Sequence, residues 1–136
     1  MLIPQEPLPV GNTYNVRVVV NGEEMAARIQ QAHAYGFKVM VLLTGDPYPD
    51  SIAFAVYTAF LQGVAALDAA PDAIEVWNEM NIDFEWPAGT IGPQQYVDQM
   101  LRPAYAAIKA ANPRIIVIGG APAPTGFDDD VHAWSS

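Results

Sequence analysis

Residues 73–81 have the sequence AIEVWNEMN, in which a short apolar run gives way to the polar residues Asn78, Glu79 and Asn81. The run from Ala73 to Trp77 is of strand length and rich in β-branched and aromatic residues, which predicts a buried β-strand. Polar side chains directly after such a strand indicate either the start of a surface loop or an active site at the end of the strand.

The same alternation of strand and helix is repeated on both sides of this segment. The predicted strands, each a largely apolar run, are residues 15–20 (NVRVVV), 37–45 (FKVMVLLTG), 73–79 and 114–120 (RIIVIGG). The predicted helices, each with apolar residues at helical spacing, are residues 21–36, 51–67 and 93–112. Asn21 is a candidate cap for the first helix, and Gly36 is a candidate stop.

The spacing of apolar residues also predicts which face of each later helix is buried. In the second helix the predicted buried face comprises Ile52, Val56, Phe60, Gly63, Val64 and Leu67. In the third helix it comprises Tyr96, Met100, Ala104, Ala107, Ile108 and Ala111. Pro103 lies within this third stripe and predicts a kink or a break, because proline has no N–H to donate to the preceding turn.

Strands that are apolar on both faces and alternate with amphipathic helices predict an α/β fold with a parallel sheet covered by helices. Two such folds fit, an open doubly wound sheet and a (β/α)8 barrel. The barrel is favoured because no glycine-rich phosphate-binding turn follows the first strand and because polar residues follow each strand. A complete barrel has about 250 residues, so four strands and three helices predict a partial TIM barrel. It forms one domain, residues 1–136, with residues 1–13 as a lead segment and 127–136 as a tail.

Composition excludes several classes of function. The 136 residues include 6 Lys and Arg against 15 Asp and Glu, a formal net charge of -9, which argues against nucleic acid and anionic membranes as partners. Cysteine is absent, so disulfides, thiol catalysis and cysteine-based zinc sites are excluded. No metal site and no cofactor are predicted. No signal peptide or membrane span is visible, so a soluble chain is expected. An extracellular location is compatible with the sequence, which does not indicate the compartment.

The polar end of the 73–79 strand is the candidate site. We expect Glu79 to lie beside Trp77 and to be partly withdrawn from water, an environment that favours the protonated form of a general acid. Asn78 and Asn81 offer amides to sugar hydroxyls, and the rings of Trp77 and Trp86 offer apolar faces to a sugar. The alternative is that Glu79 only caps or solvates the loop.

The segment EVWNEMN resembles the Asn-Glu signature of the retaining clan A glycoside hydrolases. The wider resemblance is to the xylosidase and iduronidase-like glycosidases and their bacterial relatives. It covers roughly residues 16–126, including AARIQQAHAYGFKVMVLLTG and the whole of residues 72–126. It implies a TIM barrel acting on carbohydrate, with Glu79 as the acid/base and Asn78 contacting the sugar next to the scissile bond. Met80 departs from the family, which commonly has proline there.

The resemblance places the family's nucleophile glutamate at the end of a seventh strand, beyond Gly126. Retaining hydrolysis needs a second carboxylate about 5 Å from the first, and the candidates within the chain, Asp46, Asp83 and Glu85, are more typical of loop residues. We therefore expect little or no glycosidase activity from this chain alone.

Three interpretations remain open. The first is part of a retaining glycoside hydrolase, and the second is a carbohydrate-binding or scaffold half-barrel without turnover. The third, an α/β domain for a phosphorylated ligand, is disfavoured by the missing glycine fingerprint. A partial barrel also exposes strand edges, which predicts either a homodimer that closes them or a longer chain that supplies the missing strands.

Overall fold

The computed structural model describes residues 22–90 and 92–125. The predicted 15–20 strand, the Asn21 cap, the lead segment and the tail after residue 126 lie outside these ranges. The described strands are β1 (Met40–Leu43), β2 (Ala73–Val76) and β3 (Ile116–Gly119). The helices are α1 (Gly22–Ala34), α2 (Phe54–Ala65), and a continuous helical segment made of α3 (Pro93–Gln95), a π-helix (Tyr96–Leu101) and α4 (Arg102–Ala111).

The three strands form a parallel sheet in the order β1-β2-β3. In the register of this sheet, Leu43 is paired with Val76, and Val76 with Gly119. Each pair of neighbouring strands is connected through a helix, as predicted for an α/β fold of the partial TIM-barrel type. The strands are shorter than predicted, since β2 stops where the backbone of Trp77 turns into the left-handed region at φ 67°.

One face of the sheet packs against the helices and forms the core. Alternate strand residues, Val41 and Leu43 in β1 and Ile74 and Val76 in β2, belong to this core together with the buried face of the 93–111 helical segment. Burying an aliphatic side chain of this size contributes about 1.5–3 kcal/mol. This packing fixes the sheet against its helices and therefore fixes the carboxyl ends of the strands.

The predicted buried face of α2 is wrong in part. Val56 is 70% exposed and Phe60 is 43% exposed, whereas Leu61, Val64 and Ala65 are buried. The helix is apolar on nearly all sides, so periodicity alone does not identify its inner face. The observed inner face includes Tyr57, whose hydroxyl reaches the backbone at the end of the sheet.

The predicted stripe of the third helix is confirmed for four of its six residues. Tyr96, Met100, Ala104 and Ile108 are buried, and Ala107 and Ala111 are half-buried. The helix does not break at Pro103. Instead, the wider π-helical turns of Tyr96–Leu101 come directly before the proline, which is one known way to accommodate a missing hydrogen bond within a helix.

Within the described strands, β1 and β3 are the edges of the sheet, and Ile116 on β3 is exposed. The homodimer that would close such edges stays a prediction. Along residues 22–90 and 92–125, no helix is long and apolar enough to cross a membrane.

Candidate functional site

Glu79 lies three residues after the end of β2, at the carboxyl edge of the parallel sheet. The segments at this edge are residues 44–53, 77–90 and 120–125, here called the carboxyl-edge loops. They contain all three residues other than glycine that adopt a positive φ in the described chain, namely Tyr48 (54°), Trp77 (67°) and Glu79 (45°). This conformation costs a bulky L-residue roughly 1–2 kcal/mol, so surrounding contacts must hold it in place.

The backbone at Trp77 is held by close packing from both neighbouring strands. A Cβ atom at Gly45 would lie 2.6 Å from Trp77 Cη2, and one at Gly120 would lie 2.7 Å from the carbonyl oxygen of Trp77. Only glycine fits these approaches. The indole N–H of Trp77 donates to the carbonyl oxygen of Glu85 at 2.9 Å, which ties the ring to its own loop.

The backbone at Glu79 is held by the loop that follows β3. The N–H of Glu79 donates to the carbonyl oxygen of Ala121 at 2.9 Å. Two residues later, Asn81 is fully buried, and its side-chain N–H donates to the carbonyl oxygen of Ala123 at 2.9 Å while its oxygen accepts from the N–H of Ala123 at 2.6 Å. Both ends of the Asn81 amide are thus bonded to the protein, and the structure places Asn81 as a link between loops.

Asn78 and Glu79 are half-buried. Neither side chain makes a hydrogen bond to another described residue. The strained backbone therefore presents an amide and a carboxyl group at the edge of the sheet, with their hydrogen-bonding capacity unused by this part of the protein.

Trp77 and Trp86 are 3% and 2% exposed, so both rings are buried. Their centroids lie 6.2 Å apart with the rings nearly perpendicular, and this pair packs between Tyr57 at 5.1 Å from Trp77 and Tyr96 at 6.0 Å from Trp86. The two tryptophans form an aromatic wall beneath the loops and expose very little of their ring surface. That either of them binds a sugar stays a prediction.

Two tyrosine hydroxyls, whose role the sequence did not indicate, connect the strand ends. Tyr57 donates to Leu43 O at 2.7 Å and accepts from the N–H of Trp77 at 3.0 Å. Tyr96 donates to Val76 O at 2.6 Å and accepts from the N–H of Gly120 at 2.8 Å. Each tyrosine thus bridges the last residue of one strand and the residue after the next strand.

Burial perturbs both hydroxyl groups. Burial raises the pKa of Tyr57 well above its ordinary value, against the opposing effect of the hydrogen bond from Trp77. Burial also raises the pKa of Tyr96, helped by the negative charge of Glu75 and opposed by the N–H of Gly120. Both hydroxyls therefore stay protonated and serve as fixed bridges.

The other acidic candidates lie in two of the carboxyl-edge loops. Asp46 is exposed, and Asp83 and Glu85 are half-buried in the loop that also carries Glu79. Glu75 is buried within β2. In residues 22–90 and 92–125, no group of three His, Cys, Asp or Glu side chains could hold a metal ion.

Comparisons with known proteins support the architecture. No family model matches the sequence, and no curated protein matches it. Among solved structures, the chain is similar to the GH53 catalytic domain of Ignisphaera aggregans, with a TM-score of 0.51 and 22% sequence identity over 71% of this chain. The match covers 32% of the GH53 domain. The chain thus has an α/β fold that resembles part of a glycoside hydrolase catalytic domain of the TIM-barrel type.

Proposed function

We propose that the carboxyl-edge loops form a glycoside-hydrolase-type site in which Glu79 is the general acid/base and Asn78 contacts the sugar. The observation that carries this proposal is the position of Glu79. Its strained backbone is held at the carboxyl edge of the sheet by Ala121, and its carboxyl group is unbonded within the described chain. Catalytic groups of barrel enzymes lie at this edge.

In this role the Glu79 carboxylic acid donates its proton to the glycosidic oxygen while a second carboxylate attacks the anomeric carbon and the bond from that carbon to the glycosidic oxygen breaks. The resulting Glu79 carboxylate then takes a proton from the water that displaces the second carboxylate from the anomeric carbon. The half-buried position of Glu79 suits both steps, because the side chain is accessible to a substrate while the loops limit access of water. Asn78, one residue earlier, supplies an amide that can donate to and accept from a sugar hydroxyl.

The remaining predicted residues have supporting roles in this proposal. Trp77 and Trp86 form the wall beneath the site, and Asn81 fixes the turn that carries Glu79. A retaining reaction also needs a nucleophile about 5 Å from the acid/base, and we assign that role to no described residue.

The acid/base role can be tested without turnover. An N-bromoacetyl glycosylamine places an electrophilic carbon where the glycosidic oxygen of a substrate would lie. A carboxylate facing that position displaces bromide and forms an ester, which mass spectrometry of peptides locates. We expect N-bromoacetyl xylosylamine or galactosylamine to modify Glu79 selectively, with protection by excess xylohexaose or galactohexaose.

Glu79→Gln should abolish the modification, whereas the control Glu85→Gln, in the same loop, should leave it unchanged. Modification of Asp46, Asp83 and Glu85 at the same rate as Glu79 would contradict the assignment. Where a longer protein containing this chain hydrolyses glycosides, Glu79→Gln should lower kcat by about 10²–10⁴-fold.

A carbohydrate-binding scaffold without turnover is the second candidate. The unbonded side chains of Asn78 and Glu79 can bind sugar hydroxyls in such a scaffold, and binding needs no nucleophile, which we assign to no described residue. The labelling experiment distinguishes the two candidates. A binding scaffold would bind the oligosaccharide, but it has no carboxylate directed at the anomeric substituent, so no selective ester would form at Glu79.

A further inference from the structure

Two exposed aromatic rings meet at the carboxyl edge beside the candidate site. Tyr48, in the loop after β1, is 68% exposed, and Phe84, in the loop after β2, is 39% exposed. Their ring centroids lie 4.6 Å apart with the rings nearly perpendicular, and the N–H of Tyr48 donates to the carbonyl oxygen of Phe84 at 2.6 Å. The pair is therefore a fixed feature of the surface.

The conformation of Tyr48 is not the one its own side chain prefers. Its φ of 54° lies in the left-handed region, where glycine and asparagine are more readily accommodated than an aromatic residue. Because the ring of Tyr48 is exposed, its burial contributes little stability to offset the cost of this backbone conformation. Such strain is found at ligand-binding sites, where the surroundings hold a side chain in the position that the ligand requires.

A cavity of about 630 Å³ opens beside Tyr48, between the loop after β1 and the first turns of α2. Its lining includes Tyr48, Val56, Phe60 and Trp77 as apolar residues, and Asp46 and Asp50 as carboxylates. Sites for small ligands typically have volumes of about 300–1,000 Å³ and combine apolar walls with a few polar groups. The outward position of Val56 and Phe60 on α2 thus gives this cavity its apolar side.

The charge of the surrounding loops restricts the ligand. The carboxyl-edge loops, residues 44–53, 77–90 and 120–125, contain five acidic residues and no lysine or arginine. An anionic sugar, such as a uronate or a sugar phosphate, would be repelled here and would find no cation from these loops. An uncharged sugar ring has an apolar face for the aromatic rings and hydroxyl groups that can donate to Asp46 and Asp50.

We propose that Tyr48 and Phe84, together with the adjoining cavity, form a subsite for an uncharged sugar ring of a glycan that extends away from Glu79. This inference deepens the proposed function, since it names the class of substrate and a subsite beside the proton donor. Its test measures binding and requires no turnover.

The binding experiment is calorimetric titration of the chain with xylohexaose, cellohexaose and galactohexaose, and with hexagalacturonate as the anionic counterpart. We expect at least one neutral hexasaccharide to bind, and hexagalacturonate to bind at least about tenfold more weakly than it. Tyr48→Gly and Phe84→Ala should each weaken the neutral binding by about tenfold, a loss that corresponds to about 1.4 kcal/mol. The control Tyr105→Ala removes a ring from α4 whose exposure, 52%, lies between those of Phe84 and Tyr48, and it should leave the dissociation constant unchanged.

Tyr48→Gly also distinguishes a ligand-binding ring from a structural one. Because glycine accepts a positive φ, this variant should unfold at a Tm within about 3 °C of the wild type or above it, despite the weaker binding. A large drop in Tm would assign Tyr48 a structural role and overturn the proposal. Unchanged neutral binding in Tyr48→Gly and Phe84→Ala would also overturn it, as would equal affinity for hexagalacturonate or no neutral binding at about 5 mM.

The subsite and the acid/base role can fail separately. If Glu79 is not labelled selectively while Tyr48→Gly weakens neutral binding, the subsite stands without the proposed catalysis. If Glu79 is labelled selectively while Tyr48→Gly binds as the wild type does, the proposed catalysis stands and the subsite does not.

Discussion

Asn81 and Ala123 are joined by two hydrogen bonds across 42 positions of sequence, with the amide of Asn81 bonded to both the N–H and the carbonyl oxygen of Ala123. This pair of hydrogen bonds connects the loop after β2 to the loop after β3. Together with the bond from Glu79 N–H to Ala121 O, it holds the turn that carries the proposed proton donor. The placement of Glu79 therefore depends on a neighbouring strand as well as on its own.

The first prediction concerns this link. Asn81→Ala leaves the buried N–H of Ala123 without this partner, and such a group costs about 1–3 kcal/mol. The carbonyl oxygen of Ala123 still accepts from the N–H of Thr125 at 2.9 Å, so we expect a loss of about 1–3 kcal/mol in the free energy of unfolding, measured by urea denaturation. Amide exchange of Glu79 should accelerate more than that of residues in α1. A variant with unchanged stability and unchanged exchange at Glu79 would show that Asn81 does not hold this turn.

Much of the fold follows from patterns within short windows of the sequence. The order of strands and helices and the buried stripe of the 93–111 segment were predictable, because each depends on apolar periodicity within one element. Placing Glu79 at the carboxyl edge was also predictable, since every strand of a parallel sheet ends at the same edge.

The features that the sequence did not predict depend on contacts between distant residues. The inner face of α2 was ambiguous because apolar residues surround that helix. The bridges made by Tyr57 and Tyr96 and the link made by Asn81 join residues 14 to 42 positions apart. Side-chain periodicity gives no information on which backbone group a hydroxyl or an amide will reach, so these roles appear only when the strands are aligned.

The second prediction compares the two tyrosine bridges. Tyr96→Phe removes the hydroxyl partner of Gly120 N–H, whereas after Tyr57→Phe the N–H of Trp77 still has Leu43 O at 3.1 Å. We expect a loss of about 1–3 kcal/mol for Tyr96→Phe and about 0.5–1.5 kcal/mol for Tyr57→Phe, in chemical denaturation at pH 7. Tyr105→Phe, at an exposed position on α4, is the control and should be neutral. The reverse order for Tyr57 and Tyr96 would contradict this account of their partners.

The third prediction follows from the raised pKa of both buried tyrosines. Above pH 10 these tyrosines ionise in the unfolded chain but stay protonated in the folded one, so the folded state binds more protons and stability falls as pH rises. The wild type should therefore lose stability between about pH 10 and 12. The double variant Tyr57→Phe/Tyr96→Phe, less stable at pH 7, should show a shallower decline. An equal decline in both proteins would mean that these hydroxyls are not the groups that titrate.

The fourth prediction concerns Asp72, at the opposite edge of the sheet. Burial disfavours its charge, but hydrogen bonds from Val39 N–H, Lys38 and His33 outweigh this effect and lower its pKa. A lowered pKa stabilises the folded state above the ordinary value of about 3.9, and this contribution is lost as the pH falls through the folded-state pKa. Asp72→Asn should thus cost about 0.5–1 kcal/mol at pH 7, a small value because the group is partly exposed.

The difference between Asp72→Asn and the wild type should shrink as the pH falls below about 4. Thermal unfolding from pH 2.5 to 7 measures this, with the exposed neighbour Asp68 as the control in Asp68→Asn. A difference that stays constant over the whole range would exclude ionisation of Asp72 as its cause.

The last prediction tests the close packing that shapes the backbone at Trp77. A Cβ atom at Gly120 would lie 2.7 Å from the Trp77 carbonyl oxygen and 2.9 Å from Met80 Cε. The backbone oxygen cannot move without displacing the turn that leads to Glu79, so Gly120→Ala should lower the free energy of unfolding by about 1–3 kcal/mol, as at other overpacked sites.

Gly63→Ala is the matched control. A Cβ at Gly63, inside α2, meets no atom within 4 Å and should stabilise the helix by about 0.5–1 kcal/mol. Denaturation curves of the two variants should therefore shift in opposite directions, and a stabilised Gly120→Ala would show that the strand ends at the candidate site are less tightly packed than the structure indicates.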